Sequence, residues 1–165
     1  MRRSEAWGNP WFTVAEHADR ATVAAVYRGV LVAQRHRLAD VMVDVVSDAP
    51  WPGEVAWAVT ELELRRRSRR SLLRPWRMTE PDISVELDPR VDEQFALAVA
   101  VAPYTLSGVG ISDEQTMIWD VNDTGTSATF ELEDRELKTV RAYVAANGGV
   151  VDDLVPFDRH RPWPS

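Results

Sequence analysis

The chain of 165 residues contains no cysteine. It therefore has no disulfide framework, no thiolate zinc site and no cysteine nucleophile, which fits a protein of the reducing cytosol. It also lacks any stretch that approaches the roughly 18 uninterrupted apolar residues that a membrane span requires. The arginines at its N-terminus are not followed by the apolar segment of a secretory signal. These absences lead us to expect a soluble, cytoplasmic protein.

Motifs of catalysis and cofactor binding are equally scarce. The three histidines, His17, His36 and His160, lie far apart in the chain and have no metal-ligand spacing. The sequence has no phosphate-binding glycine loop, no nucleophile elbow and no calcium loop. The segment 108–110, Gly-Val-Gly, lacks the third glycine of a dinucleotide fingerprint. We therefore expect no metal, no cofactor and no catalytic residue.

One short segment, Asp123-Thr124-Gly125-Thr126, resembles the motif that opens the active site of aspartic proteases. Such enzymes need two carboxylates that share a proton, and this chain has no second Asp-Thr-Gly, so catalysis would require a homodimer. The resemblance covers four residues. Two alternating apolar runs flank the segment, and Asn122, Asp123 and Gly125 are residue types that tolerate positive φ. We interpret it as a hairpin turn and keep a dimeric aspartic hydrolase through Asp123 as a remote alternative.

Charge is unevenly distributed along a chain whose formal net charge is −7. Eighteen of the 19 basic residues are arginine, which is typical of a GC-rich bacterial genome. Residues 1–64 carry a net charge of −3, residues 65–77 carry +7 and residues 78–165 carry −11. A basic band thus separates two acidic segments. Its members are Arg65, Arg66, Arg67, Arg69, Arg70, Arg74 and Arg77.

The basic band suggests one function. Its arginines can bind phosphates, and the neighbouring Trp76 can stack on a base, so a nucleic-acid-associated regulator is a possible interpretation. The overall acidity of the protein argues against it, because the same arginines can pair with acids of their own chain.

The acidic C-terminal half suggests another function, for which four residues on neighbouring segments are candidates. They are Asp120, Glu131, Glu133 and Glu136. Such a negative surface suits a partner protein with a basic surface, although it also serves solubility. The sequence has seven tryptophans, and large aromatics in loops often anchor a partner, so Trp51 and Trp76 are candidate anchors. We favour a non-catalytic protein-interaction module that resembles an immunity protein, an antitoxin or an adaptor. The sequence leaves its oligomeric state open.

Hydrophobic periodicity predicts both helices and strands. Predicted helices lie at about 14–46, with one break near Asp19–Thr22 or Gly29, at 54–73 and at 134–147. Predicted strands lie at 83–88, 95–106, 116–121 and 127–132. A capping box of Thr13 and Glu16 would start the first helix, and 107–115 is predicted to be a loop. Asp134 would be the N-cap of the last helix, and Asn147-Gly148 its left-handed stop. Periodicity leaves the choice between helix and strand open in three segments, which are 38–46, 54–65 and 89–102.

The order of these elements predicts one α+β domain. Its helical part covers about 13–75, and a small, mainly antiparallel sheet of three or four strands follows within 83–150. The helix at 134–147 packs on that sheet, and residues 151–165 form a loose tail. Helices gathered at one end of the chain and strands at the other favour this class over alternating β/α units.

Overall fold

One antiparallel sheet and a set of helices form the part of the chain that the computed structural model describes, which is residues 9–46, 49–71, 82–123 and 125–158. The strands are β1 (Trp11–Val14), β2 (Leu38–Val46), β3 (Asp82–Leu87), β4 (Ser107–Ser112), β5 (Met117–Asn122), β6 (Ser127–Glu131) and β7 (Leu154–Phe157). The α-helices are α1 (Arg20–Gln34), α2 (Gly53–Ser71), α3 (Asp92–Val101) and α4 (Asp134–Ala146). This composition confirms the α+β class, although the sheet has seven strands rather than three or four.

The strand order in the sheet is β3-β2-β4-β5-β6-β1-β7, and all neighbours are antiparallel. β3 and β7 are therefore the edges. β7 is only four residues long and includes Pro156, and short strands with proline discourage pairing with another chain.

The helices pack against one face of this sheet. Val41, Val43 and Val45 of β2 point into the core with no exposed surface, whereas Met42 between them is 42 % exposed on the other face. α1 contacts β5, α3 contacts β2 and β3, and α2 packs on α3 and β3. α4 packs mainly on α1 rather than on the sheet, and a Cβ at Gly29 of α1 would lie 3.0 Å from the Tyr143 ring.

A β-bulge in β5 places two consecutive side chains, Ile118 and Trp119, in the core. The register between β4 and β5 shifts between Gly110 and Ile111, so that Gly110 pairs with Trp119 and Ile111 with Met117. The extra residue, Ile118, is buried together with Trp119, as a β-bulge allows. A Cβ at Gly108 would lie 2.6 Å from the Trp119 ring, so this glycine makes room for the indole.

The prediction of helix over about 14–46, broken once, is wrong at both ends of that range. Thr13 belongs to β1, and α1 begins after Asp19, whose carboxylate accepts a hydrogen bond of 2.7 Å from the Thr22 backbone NH. Residues 38–46 form β2, as the alternative interpretation allowed. Alternating valines suit a strand that is buried on one face, and that preference prevails here over the helical spacing.

Three further predictions are wrong. Residues 95–106 are not a strand, because α3 covers Asp92–Val101 and buries Phe95, Leu97 and Ala98. The predicted loop at 107–115 contains β4, and the predicted loose tail at 151–165 contains β7. The rest of that tail, 159–165, lies outside the described residues.

Several local predictions are confirmed. The second helix, the strand at 83–88 and the helix at 134–147 are present as α2, β3 and α4. The left-handed stop after α4 is Gly148, with φ of 76°. The N-cap of α4 is Glu133, in a capping box with Glu136, and not Asp134 as the sequence suggested. None of the described helices combines the length and the apolar composition that a bilayer span requires.

Candidate functional site

Two of the four predicted acidic surface residues pair with an arginine of the same chain. Arg37, in the 3-10 turn after α1, donates from Nε to Glu136 Oε1 at 2.7 Å and from Nη2 to Oε2 at 2.8 Å. It also donates from Nη1 to Glu131 Oε1 at 3.1 Å. The Glu136 side chain is 1 % exposed, so it does not contribute to an exposed surface. No local sequence pattern predicts this pairing, because the partners are 99 residues apart.

The electrostatics of this cluster favour a structural role. Burial lowers the pKa of Arg37, but hydrogen bonds and charge from Glu136 and Glu131 outweigh burial and raise that pKa. Bidentate arginine–carboxylate pairs are among the stronger charge-assisted hydrogen bonds. The cluster therefore joins the end of α1 to β6 and to the start of α4.

The same cluster includes three side chains with suitable metal-ligand atoms, His36, Glu133 and Glu136, which lie within 4.8 Å of one another. Both oxygens of Glu136, however, accept hydrogen bonds from Arg37. Glu136 Oε2 also accepts one of 2.8 Å from the Glu133 backbone NH. A cation at this position would have to displace the guanidinium group, so the geometry favours the ion pair.

Asp120 lies in a different environment, on the face of the sheet opposite the helices. The seven strands contain no arginine, lysine or histidine. Their acidic residues are Asp40, Asp44, Asp82, Glu86, Asp120 and Glu131. Strand alternation places acidic side chains on the face that the helices leave uncovered, because the helix-facing positions are apolar.

The centre of this face has an apolar pair with three acids around it. Met42 of β2 is directly opposite Val109 of β4. Glu86 is opposite Met42 from β3, Asp120 is opposite Val109 from β5, and Asp44 follows Met42 on the same side of β2. Neighbouring strands are about 4.8 Å apart, so the patch spans roughly 15 Å across four strands. We call these five residues the acidic sheet face.

Asp44 has an unsatisfied oxygen in this patch. Its Oδ1 atom is inaccessible to solvent and has no hydrogen-bond partner among the described residues. Its cross-strand neighbours are Ser84 and Ser107, and Glu86 lies diagonally from it. Diagonal cross-strand neighbours are about 7–8 Å apart, so Asp44 has a like charge nearby. A buried polar atom without a partner typically costs about 1–3 kcal/mol.

Two other acids of the strands have a basic neighbour. Glu131 pairs with Arg37, as described above. Asp40 lies near Arg90, whose pKa is raised mainly by its hydrogen bond to Asp88, then by the charge of Asp88 and, as smaller contributions, by the charges of Asp113 and Asp40. The sequence predictions include Asp120 but neither Asp44 nor Glu86. The alternative strand interpretation of 38–46 places Asp44 on the outer face.

The basic band begins in the last turns of α2. Arg65 donates to Glu61 Oε1 at 3.1 Å, one helical turn earlier. The side chains of Arg67, Arg69 and Arg70 lie outside the described residues, as do Arg74 and Arg77 entirely.

Of the two predicted aromatic anchors, Trp51 and Trp76, the structure describes Trp51. Trp51 is half-buried and packs edge-to-face on Tyr104, with ring centroids 5.8 Å apart. Trp76 lies outside the described residues. Trp57 of α2, which the sequence did not single out, is 53 % exposed. It donates from Nε1 to the Glu54 carbonyl oxygen at 3.0 Å.

Asp123 lies in the loop of the β5–β6 hairpin, as the turn interpretation predicts. Its φ is 54° and that of Gly125 is 99°, which are left-handed values typical of tight turns. The Asp123 side chain is exposed.

Comparison of the chain with protein-family models, with curated proteins and with solved structures finds no match.

Proposed function

We propose that this chain is a non-catalytic, cytosolic interaction module that binds a basic partner protein through the acidic sheet face. The observation that carries the proposal is the grouping of Asp44, Glu86 and Asp120 around Met42 and Val109, in a strand framework that has no basic residue. A lysine or arginine of a partner would pair with these carboxylates, as charge-assisted hydrogen bonds do in complexes.

The composition of the patch also resembles a recognition surface. Protein interfaces combine an apolar centre with a polar rim, and here Met42 and Val109 form the centre while Asp44, Glu86 and Asp120 surround it. Met42 is 42 % exposed, and flexible methionine side chains adapt well to a partner. The negative charge would increase the association rate with a basic protein and make it sensitive to salt.

The proposal is tested by removing three charges from this face. The sheet-face variant carries Asp44→Asn, Glu86→Gln and Asp120→Asn, which keep the shape of each side chain. The control variant carries Glu93→Gln, Glu114→Gln and Asp152→Asn, three exposed acids outside this face. Both variants lose the same three negative charges, so a difference between them reports the location of the charge and not its amount.

We expect a basic protein from a lysate of the source cells to be retained by the wild type and by the control variant. Its affinity for the sheet-face variant, measured by calorimetry with the purified partner, should fall at least about tenfold, which corresponds to 1.4 kcal/mol. Affinity should also fall with added salt. Equal affinity for the two variants, or capture of no basic protein by the wild type, would contradict the proposal.

A second candidate function is nucleic-acid binding through the basic band. It is favoured by one observation, that α2 is helical to Ser71 and therefore places five arginines of 65–70 in its last two turns. DNA or RNA affinity that decreases steeply with salt, and is lost when those five arginines become glutamine, would support it. Salt-insensitive or absent binding would eliminate it.

A further inference from the structure

A cleft on the helical side of the molecule is lined by more positive than negative side chains, in contrast to the acidic sheet face. It lies between α1, α2, α4 and the 3-10 turn after α3, and its volume is about 330 Å³. This falls in the range of about 300–1,000 Å³ that is typical of small-molecule sites. Alanines of α1 line it, and its polar residues are Arg20, Arg28, Glu54, Tyr104, Tyr143 and Asn147.

The two arginines lie on α1 and differ in how they are held. Arg28 donates from Nε to the Val99 carbonyl and from Nη2 to the Ala100 carbonyl, both at 3.2 Å. These bonds fix its guanidinium group at the end of α3 and leave Nη1 for another acceptor. Arg20 is exposed and has no hydrogen bond or ion pair with the described residues. The cleft thus contains one preorganised cation and one that is not paired.

The acid in this cleft is already engaged. Glu54 Oε1 accepts a hydrogen bond of 2.9 Å from the Tyr104 hydroxyl. The pKa of Tyr104 is raised, first by burial and then by the hydrogen bond and charge of Glu54. Arg28 and Arg20 both act on that pKa in the opposite direction, so both guanidinium groups are near the same hydroxyl. Among the lining residues, two positive charges face one negative charge, in a protein whose net charge is −7.

We propose that this cleft binds a small organic anion whose carboxylate or phosphate group is held between Arg20 and Nη1 of Arg28. Guanidinium groups recognise both kinds of oxyanion because their planar donors match two oxygens at once. The alanines and the rings of Tyr104 and Tyr143 provide an apolar wall for the body of the ligand. A positive cleft in an acidic protein also concentrates anions locally. The site is independent of the partner surface proposed above.

The experiment titrates the protein with four probes while amide shifts are followed by NMR: inorganic phosphate, phenyl phosphate, acetate and benzoate. We expect saturable shifts at residues 20–28 and 143–147, with tighter binding by the aromatic probe of each pair. The phosphate and carboxylate arms show which oxyanion the site prefers. No saturable binding by any probe up to tens of millimolar would overturn the proposal.

Three variants locate the binding. Arg20→Gln removes the unpaired cation and should weaken binding about tenfold or more, as expected for one charge-assisted hydrogen bond of about 1.5–3 kcal/mol. Arg141→Gln removes the same charge from an exposed position of α4 outside the cleft and should leave affinity within about twofold. Glu54→Gln removes the local negative charge and should tighten binding. Equal weakening by Arg20→Gln and Arg141→Gln would show charge screening only and would also overturn the proposal.

Discussion

Single side chains connect elements that lie far apart in the sequence, and Arg37 is the main example. Its guanidinium group contacts Glu136 at the start of α4 and Glu131 in β6. Such a pair stabilises the fold only as long as both partners remain, because removal of one leaves a desolvated charge.

Glu136→Ala is therefore expected to lower the free energy of unfolding by about 3 kcal/mol, since it leaves Arg37 half-buried without its main partner. Urea denaturation measures this change. The control is Asp134→Ala, an exposed acid two residues earlier in the same helix, for which a loss below about 1 kcal/mol is expected. A similar loss in both variants would show that only the helix start is affected and that the pair adds nothing.

Tyr27 predicts how stability changes in alkali. It is 1 % exposed, and burial together with the charge of Asp120 raises its pKa far above the ordinary value of 10.0. The unfolded chain loses this proton first, so the stabilisation from the neutral phenol is complete below pH 10 and is lost as the pH rises further. The free energy of unfolding should fall by up to about 1.4 kcal/mol per pH unit above pH 10 because of this group.

Tyr27→Phe should remove most of this alkaline slope, which chemical denaturation at a series of pH values measures. A smaller slope should persist because the pKa of Tyr104 is also raised, by burial and by Glu54. Tyr104→Phe keeps Tyr27 and should keep the larger part of the slope. If Tyr27→Phe is as sensitive to alkali as the wild type, the phenol is not protected in the folded state.

At the level of single elements, the glycines of β4 leave room for the side chain of Trp119 on the neighbouring strand β5. A Cβ at Gly108 would lie 2.6 Å and 2.7 Å from two atoms of the Trp119 ring. We expect Gly108→Ala to lower the free energy of unfolding by about 1–3 kcal/mol, as overpacking does in other cores. Thermal and urea denaturation measure this effect.

Two comparisons make this prediction specific. At Gly53, the first residue of α2, a Cβ would have no atom within 4 Å, so Gly53→Ala should be neutral or slightly stabilising. In a Trp119→Leu background, Gly108→Ala should cost less than it costs in the wild type, because the smaller side chain relieves the contact. A Gly108→Ala protein as stable as the wild type would show that the ring can move aside.

For the whole molecule, the acidic sheet face predicts that salt increases stability. The Debye length is about 8 Å at physiological ionic strength, which matches the distance of about 7–8 Å expected between Asp44 and Glu86. Screening of this repulsion should raise the melting temperature of the wild type as sodium chloride is added. The sheet-face variant should begin with a higher melting temperature and respond less to salt.

The control variant with Glu93→Gln, Glu114→Gln and Asp152→Asn should retain the salt response of the wild type. Calorimetry of the three proteins at low and physiological ionic strength provides the comparison. If both triple variants lose the response equally, the repulsion arises from total charge and not from this face.

The elements that sequence predicted well are those whose signals are local. The β5–β6 hairpin follows from turn residues such as Asp123 and Gly125 between alternating runs, and the end of α4 follows from Gly148. Each depends on the conformational preference of one or two residues, which neighbours in space change little. The α+β class follows from the sum of such signals.

Contacts between distant segments determined the rest. Residues 38–46 have a pattern compatible with both helix and strand, and pairing with β3 and β4 determines that they form a strand. Sequence predicts Glu136 as a surface acid, but in the fold its side chain is buried and paired with Arg37, which lies 99 residues away in the chain. The position of Asp44 and Glu86 on the outer face likewise depends on which face of the sheet the helices cover. Local turns, caps and periodicity can be predicted from the amino-acid sequence of this protein, because their energies arise within a few residues. The fold is needed to tell which charges are paired and which remain available, because charge pairing depends on distances that no local pattern specifies.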